Sequence, residues 1–532
     1  MISFSAATLL LLAFVYFSLK LLSNFQATKR FKAECTRRGC QPIPILPSKD
    51  PFGLLRLIEA LKAGRQDRMP QYVASLIDQP GADIHTVQVK LLNDNMTVTR
   101  DPENVETIFA KQTSDFDIGP ARLECFRPLL GIGLTTSTGE AWRHSRALLR
   151  PQFSREQISD LGLEERHFQA LMGVIDVKSD GRSEKLDLQP LFSNLTHDTA
   201  TEFLYGHSVN SQEPAEAKSY TAQNDSGKVA GDLEFGHHLE AGKSWLYERM
   251  VFGKLGWLFS SAAFTQHCKE VHKYVDRFVH ARLREGPNEK SGASSKSSKF
   301  ILLNELARTT QNPLELRNET LHVLSAGWDT TSALLGWLFY FLARNPHIFT
   351  KLRSIILSDF SASIDFRSLN NCRYLQNCIN ETFRVAAIIP VLERVCTQDT
   401  TLPRGGGPSG MSPVFLPKDS RVLISTYGMQ HRADIWGTDV AEFRPERWEG
   451  EKIGGGWDFV PFAGGPRKCI GRKSALTLLK RHNEMWSSVA DLRRTIRSYG
   501  SIIHHCPIPA AIRRDRECGA PWSHQVSPCF DE

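Results

Sequence analysis

Ten consecutive residues, Phe462-Ala463-Gly464-Gly465-Pro466-Arg467-Lys468-Cys469-Ile470-Gly471, restrict what this chain can fold into more than any other stretch of it. Two adjacent glycines and a proline predict a tight bulge whose backbone can come close to a flat ligand. A cysteine on such a bulge, just ahead of a helical run, has backbone N–H groups and a helix N-terminus directed at its sulfur, which favours thiolate over thiol. An isolated cysteine is most often a small buried hydrophobe. The complete spacing F-x-x-G-x-R-x-C-x-G argues instead for a sulfur displayed to a ligand, and a thiolate displayed that way is a strong donor to haem iron.

The scaffold around this loop reads as mainly α with a minor β portion. Helix-period patterns dominate from about Pro102 to Arg384. Ile84–Leu91 and Met96–Thr99 flank Asn93-Asp94-Asn95 as a small hairpin, and short strands such as Arg421–Ser425 follow Arg384. Polar stretches at Asn210–Gly231 and Gly286–Ser298 read as surface connections within one body. The net charge of +7 comes from 65 basic and 58 acidic residues with no long basic run, which argues against a nucleic-acid partner. Eleven irregularly spaced cysteines argue against a disulfide framework and for reduced thiols facing the cytosol.

From Phe4 to Leu22 nearly every residue is apolar. A helix of that length, at ~1.5 Å per residue, comes close to the ~30 Å needed to cross a bilayer. No charged n-region or small-residue cleavage site marks a signal peptide, and Lys29, Arg30 and Lys32 just beyond predict a cytosolic body. One span excludes a channel or transporter. Gln41–Pro47, dense in proline, reads as a stiff hinge. The expected organisation is a membrane anchor at 1–25, a basic and proline-rich hinge at 26–50, a catalytic domain at 51–477, and an atypical tail at 478–532.

The cysteine loop resembles the ligand signature of the cytochrome P-450 superfamily of haem-thiolate monooxygenases, and further motifs carry the same resemblance. Glu381-Thr382-Phe383-Arg384 matches the family's E-x-x-R, and Phe443-Arg444-Pro445-Glu446-Arg447-Trp448 looks like the segment whose arginine joins that pair. The resemblance implies a structural triad, Glu381–Arg384–Arg447, beneath the cysteine loop. Ala326-Gly327-Trp328-Asp329-Thr330-Thr331 is similar to the central-helix motif of the family. Ala326 and Gly327 leave room for O₂, while Thr330, one turn on from Ala326, and its neighbour Asp329 can relay protons. Trp142 and Arg146 match W-x-x-x-R, and with Arg394 and Arg467 they are the donors that two haem propionates require. Phe462 completes the cofactor-binding set. The implied fold is that of the P-450 family, preceded by one transmembrane helix, with haem b as cofactor and Cys469 as the axial ligand to its iron.

Two segments, Gly139–Phe153 and Thr400–Pro408, resemble the fungal n-alkane and fatty-acid hydroxylase branch. That likeness implies oxygen insertion near the end of a long aliphatic chain. A tailoring oxygenase of secondary metabolism, or a haem protein impaired by its tail, remains an alternative. With no G-x-G-x-x-G unit in the chain, electrons must come from a separate NADPH-dependent flavoprotein reductase, and Arg467, Lys468, Arg472 and Lys473 offer it a basic docking surface. O₂, a hydrophobic small molecule and the endoplasmic reticulum membrane are the other expected partners. The resemblance ends near Thr477. Lys480-Arg481-His482-Asn483-Glu484 and Arg493-Arg494-Thr495-Ile496-Arg497 place charge where an apolar helix should continue, as in a shifted reading frame or a retained intron. His504, His505, Cys506, Cys518 and Cys529 match no common zinc spacing.

Overall fold

The computed structural model describes residues 6–48, 50–81, 83–92, 94–154, 161–175, 186–212, 232–286, 300–359, 371–450, 456–477 and 480. The tail expectations beyond Lys480, including the zinc-like residues, lie outside them.

Helix α1 spans Ala6–Arg37 and so runs well past the expected anchor into the basic segment, whose Lys, Arg, Glu and Ala residues are good helix formers. Its C-terminal end is tied down: Cys35 is buried, and Phe31 packs 5.5 Å from Phe415. The proline-rich segment that follows is extended, yet it is docked as well as stiff. Gln88 N donates to Pro44 O at 2.8 Å and Leu46 N to Gln88 O at 2.9 Å. Among the described residues no helix is long and apolar enough to cross a membrane. Leu11, Phe14, Leu19 and Phe25 of α1 are exposed.

Next come α2 (Leu54–Arg65), α3 (Met69–Asp78), the hairpin β1 (Thr86–Leu91) and β2 (Asp94–Thr99), α4 (Pro102–Glu106), β3 (Phe116–Asp117) and α5 (Pro120–Leu130). The helical bulk comprises α6 (Gly139–Leu149), α7 (Gly162–Val174), α8 (Leu188–Tyr205), α9 (Asp232–Phe252), α10 (Ala262–Glu285), α11 (Leu302–Thr309), α12 (Pro313–Arg344), α13 (Pro346–Asp359) and α14 (Arg373–Ala386). Strands β4 (Val391–Cys396), β5 (Thr400–Gly406), β6 (Ser412–Leu416) and β7 (Arg421–Ser425) follow, then short helices α15 (Thr426–Gln430) and α16 (Ala433–Trp436). The glycine-rich stretch that begins at Thr400 forms strand β5, paired antiparallel to β6 with an irregularity between Leu402 and Gly406.

Helix α12 organises the molecule. Pro313 sits in its first turn, where a missing N–H costs nothing, and the Asn312 side chain caps it by accepting from Leu314 N and Glu315 N. It packs along α8. Its second half, with Leu335, Leu338 and Leu342, enters one apolar core beside α14; its first half, with Leu316, Leu321 and Leu324, enters another beside α10 and α11. The five-stranded sheet, ordered β1-β2-β7-β4-β3, lies to one side. Parallel pairing of β2 with β7 sets Val98 opposite Leu423, and antiparallel pairing of β4 with β7 sets Arg394 opposite Val422.

Candidate active site

The cysteine loop folds as a closed bulge. Cys469 N donates to Phe462 O at 3.0 Å, and Lys468 N to Gly465 O at 3.1 Å. Gly465 adopts φ 62°, and a Cβ there would lie 1.6 Å from the Phe109 carbonyl; one on Gly464 would strike the Trp457 ring at 2.3 Å. The two glycines therefore admit close packing by the protein itself, rather than by a ligand as the sequence suggested. Residues 472–477 and 480 are helical, so the sulfur does stand just before a helix. Among the described cysteines Cys469 is the exposed one, and what it faces is an internal cavity. Enclosure there pushes its thiol up, against the pull of the N–H groups of Gly471 and Arg472 and the charges of Arg146 and Arg472. A metal coordinated by this sulfur would deprotonate it outright.

That cavity, about 970 Å³, connects Cys469 to Ala326, Gly327 and Thr330 on α12 and to Phe462. Its walls are mostly apolar, with Leu334, Val323 and Phe383 among them. No atom lies within 4 Å of where a Gly327 side chain would begin, so α12 presents open space. The Thr330 hydroxyl donates to Ala326 O at 2.7 Å, which leaves its oxygen lone pairs free to accept from the cavity.

Asp329 departs from the expected arrangement. It does not line this cavity; one residue along the helix is about 100° of rotation, and its carboxylate faces a smaller cleft with His237, Glu240 and Lys243. Lys243 Nζ lies 2.6 Å from Asp329 Oδ1 and 3.0 Å from Glu240 Oε2. Enclosure in the cleft raises the Asp329 carboxyl while Lys243 pulls it down. Trp328 is buried. One face stacks on His197 with ring centroids 3.9 Å apart, and the other carries the Lys243 ammonium at 4.0 Å.

Cations gather beside the sulfur. Arg467 pairs with Asp117 at 2.6 Å, donates to Ser137 O at 2.9 Å, and lies 4.4 Å from the Trp142 ring centroid. Arg146 lies on the same tryptophan at 5.7 Å. Arg394 is buried over Phe109, and burial with repulsion from Arg467 and Arg122 lowers it to about 10. Arg122, which no sequence motif marked, completes the group by donating to Thr135 O at 2.9 Å. Of the carboxylates nearby, Asp117 is held by Arg467 and Glu393 by Arg421 at 2.7 Å. Positive charge is left in excess along one side of a cavity that a thiol also lines. That donor set fits haem, whose two propionates would neutralise the edge.

Farther up α12, Glu319 is buried and accepts from Leu134 N at 3.2 Å, and burial pushes it up to about 7. His322 pairs through Nδ1 with Thr135 Oγ1 at 2.6 Å, and burial pushes it down to about 3, so it is neutral.

The structure brings Glu381, Arg384 and Arg447 together. Glu381 accepts from Arg384 Nε and Nη2 at 2.9 Å each, from Arg447 Nε at 3.4 Å, from Arg444 N at 3.0 Å and from Trp448 Nε1 at 3.0 Å. Arg384 also donates to Gln430 O, Val440 O and Glu442 O, which ties α14 to the segment leading into the cysteine loop. Arg467 is turned inward, and of the other basic residues around the loop Lys468 is partly exposed while Arg472 and Lys473 are exposed.

A family model described as Cytochrome P450 matches residues 49–480. Cytochrome P450 monooxygenase g430 of Fusarium sp is 42% identical over 471 residues, covering 87% of this chain and 81% of its own. Cytochrome P450 monooxygenase alt2 of Alternaria solani is 36% identical over 487 residues, covering 88% and 89%. Cytochrome P450 52E1 of Candida apicola is 37% identical over 453 residues, covering 84% and 85%.

Proposed function

The chain belongs to the cytochrome P450 family of haem-dependent monooxygenases, and from that premise we propose that it hydroxylates an unactivated C–H bond of a long-chain alkane or fatty acid, with Cys469 as the iron ligand. One observation carries the reading: a single, largely apolar cavity joins the Cys469 sulfur, the arginine-rich edge and the small residues of α12. Haem ligated by a thiolate supplies activation of O₂ and transfer of one oxygen atom. Arg146, Arg394, Arg467 and Trp142 would hold its propionates, with Arg122 as a further cation. Ala326 and Gly327 leave the cavity side of α12 open, and Phe462 and Phe383, packed edge-on at 5.0 Å, back the cysteine loop. Thr330 positions a proton at the cavity face of α12. Asp329 takes protons from the outer cleft, and must turn from Lys243 to pass them on. Aliphatic substrate is favoured by the apolar walls and by the likeness of Gly139–Phe153 and Thr400–Pro408 to the alkane and fatty-acid hydroxylase branch.

The family works with O₂, a redox partner and hydrophobic substrates. Here the donor is an NADPH-dependent flavoprotein reductase docking against Lys468, Arg472 and Lys473. The exposed Leu11, Phe14 and Leu19, with the basic residues beyond them, support α1 as a single-pass anchor in the endoplasmic reticulum membrane. Domain bounds of 1–25, 26–50 and 51–477 follow, with the helical 26–37 joined to the anchor. Reconstitution with such a reductase and hexadecane or palmitate tests the reading. Hydroxylation at or near the chain end is expected; a correctly haem-loaded protein that turns over neither would overturn it.

A further inference from the structure

The cavity that displays Cys469 is also lined by a charged residue of α2. Arg56 lies on the inner face of α2 with Leu57, Ala60 and Ala63, and it lines the same cavity. Its neighbouring walls, from α3 and β1, are apolar: Met69, Val73, Leu76 and Val89. Arg56 is only 9% exposed. Its Nη2 donates to Pro47 O at 3.0 Å, but Nη1 has no hydrogen-bond partner. Among the described residues no carboxylate forms an ion pair with it.

A buried guanidinium nitrogen without an acceptor is costly, because desolvation is not offset by a hydrogen bond or counter-charge. An anion entering the cavity relieves that cost, and a carboxylate matches the guanidinium fork in geometry and charge. We propose that Arg56 binds the carboxylate of a long-chain fatty acid, so that the acid end is held near α2 and the distal carbons lie toward Cys469. This rests on the aliphatic-hydroxylase reading and narrows it from alkanes to free acids. Tyr72, whose hydroxyl lies 3.2 Å from Arg56 O and 3.4 Å from Glu59 Oε2, borders the same end of the cavity and positions this part of α2.

The test is equilibrium binding of palmitate and methyl palmitate to the haem-loaded, full-length protein, followed through the haem absorption band. The unaltered protein should bind the acid about 10–100-fold more tightly than the ester, the range for a hydrogen bond to a charged group. Arg56→Met should abolish that preference with ester affinity kept within about twofold, since the apolar walls are untouched. Arg56→Lys should restore part of it. Equal affinities in the unaltered protein, or a preference that survives Arg56→Met, would overturn the Arg56 proposal and leave the aliphatic reading standing. The first comparison decides even if Arg56→Met fails to fold. If neither ligand perturbs the haem band, the aliphatic reading itself falls, and the proposal with it.

Discussion

Replacing Glu381 with alanine should remove the keystone beneath the cysteine loop. Its carboxylate is fully buried and takes hydrogen bonds from Arg384, Arg447, the Arg444 amide and the Trp448 indole. Without it, two guanidinium groups whose side chains are 0% exposed lose their shared counter-charge. Removing one partner of a buried ion pair costs ~3–5 kcal/mol, and each orphaned buried donor costs ~1–3 kcal/mol more. These contributions are not additive, because Arg384 keeps three carbonyl acceptors and Arg447 keeps Asp439 at 2.9 Å. A net loss on the order of 4–7 kcal/mol is therefore expected, against a total stability of ~5–15 kcal/mol. Urea unfolding of purified protein, with haem content per chain measured in parallel, gives the value. Glu381→Ala should load little haem and unfold at much lower urea, and Glu381→Gln should fall between it and the unaltered protein. An alanine variant within about 1 kcal/mol of the unaltered protein, the scale of an ordinary substitution, and fully haem-loaded would refute the reasoning.

Thr330→Ala should keep substrate binding while lowering the coupling of NADPH oxidation to product by about tenfold or more; unchanged coupling with no added peroxide would contradict its role. Glu319 stays protonated in the folded protein up to about pH 7, but the unfolded chain ionises it near pH 4.5. The unaltered protein therefore loses stability as pH rises through that window, and Glu319→Gln should gain on it there by at most about 3 kcal/mol in paired denaturation series. Deleting residues 1–25 should move the protein from membranes toward the soluble fraction with its haem spectrum intact; complete retention through carbonate extraction would show that another segment anchors it.

Much of the site was legible because its parts are short motifs whose chemistry is local. Cys469 with its bulge, the Ala326–Thr330 face of α12 and the Glu381–Arg384 pair each follow from spacing along one element. Arg122, Arg56 and Lys243 were not legible, since each meets the site through tertiary packing of a helix with no local motif. Asp329 shows the opposite limit: adjacency to Thr330 places the two on one helix, but helical rotation turns the acid onto Lys243 instead of into the cavity. In the fold, the hairpin and Arg421–Ser425 were readable from alternation and turn chemistry. Strand β5 was not, because its glycines resemble a turn until pairing with Ser412–Leu416 supplies partners for its backbone. The proline-rich segment reads as a stiff hinge, and its docking was not legible for a similar reason, as its bonds to Gln88 are long-range.

The carbon monoxide difference spectrum of the reduced, haem-loaded protein tests the central claim most directly, because its absorption band reports whether a thiolate ligates the iron. The unaltered protein should give the long-wavelength band of thiolate ligation, and Cys469→Ala should lose it and all monooxygenase turnover. Cys469→His, which offers nitrogen in place of sulfur, should hold some haem but shift the band to that of an imidazole complex. A Cys469→Ala variant with the spectrum of the unaltered protein would contradict the account, and would place the iron ligand elsewhere in the chain.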